Sequence, residues 1–168
     1  MSAQKEFERE VDTHLQRLND DIEDVLRQLI EQDYPEAVKG LAFEVFPDSF
    51  TSEFPVKVFF MDKYNAQYFV FDQGKPEVPS DVPPELLDID EVYPYELEDE
   101  YELKADDFDP WDVATHALIQ WFSTRWQAAG GDKFALNACI TPTDTMDDFN
   151  LKTGHWDRKP ESLIEEAC

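Results

Sequence analysis

The sequence predicts an α+β fold, an antiparallel sheet of four or five strands packed by two main helices. Three observations carry this expectation. A helical apolar stripe opens the chain, three strand-like runs follow it, and a capped second helix precedes further strand-like alternation. The expected order is α-β-β-β, an acidic insertion over 73–110, then α-β-β-α, in one domain over 1–168.

The first helix follows from apolar residues at Phe7, Val11, Leu15, Leu18, Ile22, Val25 and Leu29, spaced three or four apart. Leu26 and Ile30 widen this stripe into a face suited to packing on a sheet. The helix is expected over residues 4–32, ending before Pro35, with Glu8, Asp12, Asp20, Asp21 and Asp24 on its other side. A stripe this regular also suits a dimer seam. Strands are expected at Leu41–Phe46, Phe54–Met61 and Tyr68–Phe71, where aromatic and β-branched residues favour a pleated surface. Pro47-Asp48-Ser49, Lys63-Tyr64-Asn65-Ala66 and Asp72-Gln73-Gly74 read as turns. The simplest topology for these strands is an antiparallel meander.

The second helix starts at Asp109 as N-cap, with Pro110 at the first helical position and Asp112 at N3. Phe108 and Val113 are spaced as a hydrophobic staple. Trp111, Ala114, Leu118, Trp121, Phe122 and Arg125 follow one side, and Gly130-Gly131 supplies a left-handed stop. Lys133–Thr141 alternates as a strand that ends at Pro142. Phe149–Thr153 is a candidate partner strand, and Pro160–Ala167 a last short helix.

The charge is lopsided. The 168 residues carry 39 Asp and Glu against 14 Lys and Arg, a net charge of −25. With 42% hydrophobic and 14% aromatic residues, the chain is too apolar for a disordered acidic tail. Like charge excludes binding to a nucleic-acid backbone and disfavours an anionic membrane surface. A basic partner is allowed. No secretory signal or membrane-length apolar run is read, and Cys139 and Cys168 form no disulfide framework. A reduced, cytoplasmic protein is therefore expected, with Cys139 as a small buried hydrophobe.

The order of elements resembles that of the type III secretion chaperones, small acidic dimers that bind effector segments. The resemblance spans most of the chain as an order of elements, and the insertion departs from it. It implies a homodimeric adaptor that holds a protein segment in hydrophobic grooves. The first five elements also resemble the double-stranded RNA-binding domain. The basic second helix of that domain is missing, because residues 110–129 hold one cation, Arg125. RNA binding is rejected on that ground.

No catalytic, metal or cofactor signature emerges. The acidic cluster Asp106–Asp112 has a proline where a calcium loop needs a sharp flexible turn, and helix capping explains Asp109 and Asp112. His14, His116 and His155 lack zinc spacing, and the alternation around Cys139 places it inside a strand. Neither a phosphate loop nor a defensible carboxylate pair is found.

What remains is residues 73–110, with 14 acids against two lysines and a net of −12, and with five of the eleven prolines between Pro76 and Pro94. Its apolar residues suggest partial packing, with a short helix near Pro84–Asp90. Within it, Asp90, Glu91, Tyr93, Tyr95, Glu96, Glu98, Asp99, Glu100, Tyr101 and Glu102 mix carboxylates with tyrosines. Carboxylates accept Arg and Lys, and tyrosines give rigid contact area. This mixture is similar to that of the colicin-type DNase immunity proteins. The expectation is a non-enzymatic binding protein, monomer or homodimer, that inhibits a basic partner such as a nuclease toxin or a nucleic-acid-binding protein. Occlusion or DNA mimicry would be the means, and these ten residues the contact.

Overall fold

The computed structural model describes residues 2–104, 108–143 and 145–158. Its architecture is α+β, with helices packed on a mixed five-stranded sheet and a separate two-stranded ribbon. The predicted helix over 160–167, Asp106, Asp107 and Cys168 lie outside the described residues.

Helix α1 (Ala3–Gln16) starts at Ser2, whose hydroxyl accepts the Lys5 N–H at 3.2 Å. Phe7, Val11 and Leu15 form its buried stripe. The expectation of one helix over 4–32 is corrected, because the chain turns at Arg17–Leu18 and restarts as α2 (Asn19–Glu31). A straight helix of that span would be about 43 Å long, against about 28 Å for the later helix beneath it. Bending lets both halves cover that helix. Asn19, at the bend, accepts the Trp121 indole N–H at 2.7 Å, and Arg125 reaches Glu23 at 3.4 Å.

The main sheet has strand order β2-β1-β5-β6-β7. Its strands are β1 (Gly40–Val45), β2 (Val56–Met61), β5 (Asn137–Pro142), β6 (Asp147–Asn150) and β7 (Trp156–Arg158). The expectation of a wholly antiparallel sheet is corrected, since β1 runs parallel to β5. A parallel pair needs a long crossover, and the insertion and α4 (Pro110–Ala128) supply it. Four core residues lie opposite one another across the sheet: Val58, Phe43, Ile140 and Phe149. All four are buried, and the Phe43 ring lies 4.9 Å from Phe122 and 5.7 Å from Trp126 on α4.

The meander is also corrected. Tyr68 N–H reaches Phe60 O at 2.7 Å, but the chain then leaves the sheet. Strand β3 (Val70–Asp72) pairs with β4 (Lys75–Glu77) as a solvated hairpin. Gln73 and Gly74 both have positive φ, 51° and 80°, as a two-residue type I′ turn requires. The free edge of β2 is met instead by the insertion, where Val58 N–H donates to Pro84 O at 2.9 Å.

The insertion is thus a packed strap. Gln32 at the end of α2 holds it through Pro79 O and Ser80 Oγ, and Val82, Leu86, Val92 and Tyr93 enter the core. Residues 84–90 form turns in place of the predicted short helix. The helix comes later, as α3 (Tyr95–Lys104).

Helix α4 begins as expected, with Asp109 accepting the Trp111 N–H at 3.0 Å and Pro110 at N1. It ends before Gly130, whose φ is 104°. Trp111, placed on one side of the helix with Ala114 and Leu118, is 42% exposed where those two are buried. The strand expected over 133–141 begins only at Asn137, after a 3₁₀ turn at Gly131–Lys133. Cys139 is buried beside Ala42 and Met61. Among the described residues, no helix is long and apolar enough to cross a membrane.

Candidate binding surface

Helix α3 divides the predicted contact residues in two. From Tyr93 the chain places Leu97 and Tyr101 four residues apart, on the face turned inward. Tyr93 is fully buried, stacked on Phe50 at 5.4 Å and edge-on to Phe7 at 6.0 Å. Tyr101 packs on Phe7 at 5.1 Å and donates its hydroxyl to Glu10 at 2.7 Å. Glu98 is buried too, accepting the Tyr93 hydroxyl at 2.8 Å. These three predicted contact residues therefore fasten the strap to the protein's own core.

The other predicted residues face solvent. Glu96, Asp99, Glu100 and Glu102 project from α3 with Tyr95, and Asp90 and Glu91 lie exposed in the turn before it. Lys104 bonds Glu100 at 2.6 Å and also feels Glu6 and Glu10, so the acidic face continues onto α1.

Burial pushes the Glu98 carboxyl above the usual glutamate range, opposed by hydrogen bonding from Tyr93 and Trp111. Burial likewise raises the Tyr93 phenol, helped by the Glu98 charge. A carboxyl raised in the folded state binds its proton more tightly there than in the unfolded chain. Its ionisation therefore costs stability as pH rises through the window above the ordinary glutamate range. Glu98→Gln removes that titration. The melting temperature of the wild type relative to Glu98→Gln is expected to fall between pH 4 and pH 8. A difference that stays flat or rises refutes the buried, raised carboxyl.

Two further hollows flank α4, and neither was read from the sequence. A polar groove of about 660 Å³ between α1 and α4 is lined by Glu8, Asp12, Asn19, Gln120 and Arg125, among others. Beside it lies a cleft of about 440 Å³ at the α4 N-terminus, with Trp111, Trp156 and Thr115 in its wall. Asp112 and His116 border both. His116 Nδ1 lies 2.8 Å from Asp112 O, within one helical turn. The three histidines are dispersed: His14 on α1 near Tyr93, His116 at the cleft, and His155 exposed in a loop. Among the described residues, no group of three His, Cys, Asp or Glu side chains is placed to hold a metal ion.

The class defined is an α+β protein whose sheet and helices carry an acidic helical strap. No family model, curated protein or solved structure matches the chain.

Proposed function

We propose that this is a non-enzymatic acidic binding protein that captures a basic protein and neutralises it, as an inhibitor or immunity-type protein does. The outer face of α3 is the contact. One observation carries this reading: Glu96, Asp99, Glu100 and Glu102 are exposed on a helix whose inner side is anchored in the core. A carboxylate array held on a helix loses less conformational freedom on docking than one on a loose loop. Dense negative charge also steers a basic partner into encounter. The partner class is a nuclease toxin or another nucleic-acid-binding protein, whose phosphate-binding surface the array would occlude or mimic.

The adaptor reading places α1 or α4 at a homodimer seam, and no observation favours it. Phe7, Val11 and Leu15 of α1 and ten residues of α4 are already buried within one chain.

The test uses charge reversal at Glu96, Asp99 and Glu102, leaving buried Glu98 and lysine-bonded Glu100 in place. A partner captured from the native host at low salt, then purified, is expected to bind the triple lysine variant about a hundredfold more weakly. The salt dependence should flatten as well. Affinity unchanged by the reversal, or no basic partner at all, sinks the reading.

A further inference from the structure

The buried row Val58–Phe43–Ile140–Phe149 has a fifth member. Trp156 lies opposite Phe149 on the edge strand β7 and continues the row, yet it is 42% exposed. Its ring packs on Phe149 at 5.4 Å and on His116 at 6.1 Å. Trp111, also 42% exposed, rises from the first turn of α4. Both indoles line the 440 Å³ cleft, together with the carboxylates Asp109, Asp112 and Asp147. Among the described residues, no Lys or Arg lines it. Thr115 also borders it, only 3% exposed, and its hydroxyl has no hydrogen-bond partner among the described residues.

We propose that this cleft receives the guanidinium group of an arginine presented by the basic partner, a step that rests on the binding reading above. The argument is chemical. Indole faces attract cations, and tryptophan does so best. Three carboxylates repel an anion and disfavour a purely apolar occupant. A planar guanidinium stacks on an indole while its fork of N–H donors meets carboxylate oxygens, which a compact ammonium does less well. Thr115 adds to the cleft wall a polar side chain with no partner among the described residues, and a hydroxyl buried unbonded is costly. The volume falls within the usual range for ligand sites. The cleft thus supplies the local anchor that the diffuse charge of α3 lacks.

The test titrates the whole protein with Nα-acetyl-arginine amide, followed through the four indole N–H resonances in NMR. The neutral citrulline analogue and the lysine analogue run as controls. Saturable shifts are expected for Trp111 and Trp156, which line the cleft, but not for Trp121, which lines the neighbouring groove, or for buried Trp126. Citrulline should give none, and lysine should bind several-fold more weakly. Trp156→Ala is expected to weaken arginine binding at least tenfold. The double variant Asp112→Asn, Asp147→Asn should do the same and serves if the tryptophan variant does not fold. Equal shifts with citrulline, equal affinity for lysine, or no saturable shift at the probe's solubility limit overturns the proposal. The two readings fail separately. Partner binding that depends on α3 without indole shifts removes the cleft, whereas indole shifts with no basic partner leave the cleft and remove the α3 reading.

Discussion

Gly131→Ala is expected to destabilise the protein by about 3 kcal/mol, at the upper end of the usual cost of overpacking a core. A Cβ on Gly131 would overlap the Trp126 indole at Nε1 and Cδ1. The indole cannot retreat. Trp126 is fully buried and held edge-on against Phe43 at 5.7 Å and Phe134 at 5.4 Å. Gly130→Ala is the control. Its φ of 104° strains a side chain, but no atom lies within 4 Å of the added Cβ. That strain costs about 1–2 kcal/mol. Thermal unfolding should therefore rank wild type above Gly130→Ala, and Gly130→Ala above Gly131→Ala. At this chain length the larger loss lowers the melting temperature by about 6–12 °C. A Gly131 variant as stable as the wild type would show that the chain does not pass against the indole.

Phe7→Ala is expected to cost about 3–5 kcal/mol, the range for removing a buried aromatic ring. The ring is fully buried and touches three others, Tyr101 at 5.1 Å and Tyr93 and Phe108 at 6.0 Å each. Those three come from the strap and its exit, so Phe7 ties α1 to the acidic segment. The loss should be uneven. Amide hydrogen exchange should quicken more over α3 than over β5, because α3 has the fewer buried contacts of the two. A loss under about 1 kcal/mol, with α3 protection unchanged, would mean that the strap is held elsewhere.

Local signals were read correctly where the physics is local. Asp109 and Pro110 start α4 because a capping carboxylate and a fixed φ act within one turn. Gly130 ends it because a left-handed residue suits glycine. The candidate surface was half legible. The concentration of acid in 73–110 pointed to α3, but alternating carboxylates and tyrosines hid its helical period. Tyr93, Leu97 and Tyr101, spaced four apart, were the signal that separates inward from outward residues. Once that spacing is used, Tyr93, Glu98 and Tyr101 leave the contact list. The cleft had no local signal at all, since Trp111 and Trp156 lie far apart in the chain and meet only through the sheet and α4.

By itself the sequence determined the α+β class, the capped second helix, the turn at Gly130 and the concentration of acid in one segment. Each rests on periodicity, composition or a cap, and those act over a few residues. Only the tertiary structure decided that β1 and β5 run parallel, that the first helix bends at Arg17–Leu18, and that the acidic segment packs as a strap. Those outcomes depend on which distant surfaces bury one another. Strand direction is set by the crossover that α4 completes, and the bend by the length of the helix beneath it. The exposure of each carboxylate on α3 is set by which side of that helix the core of α1 claims.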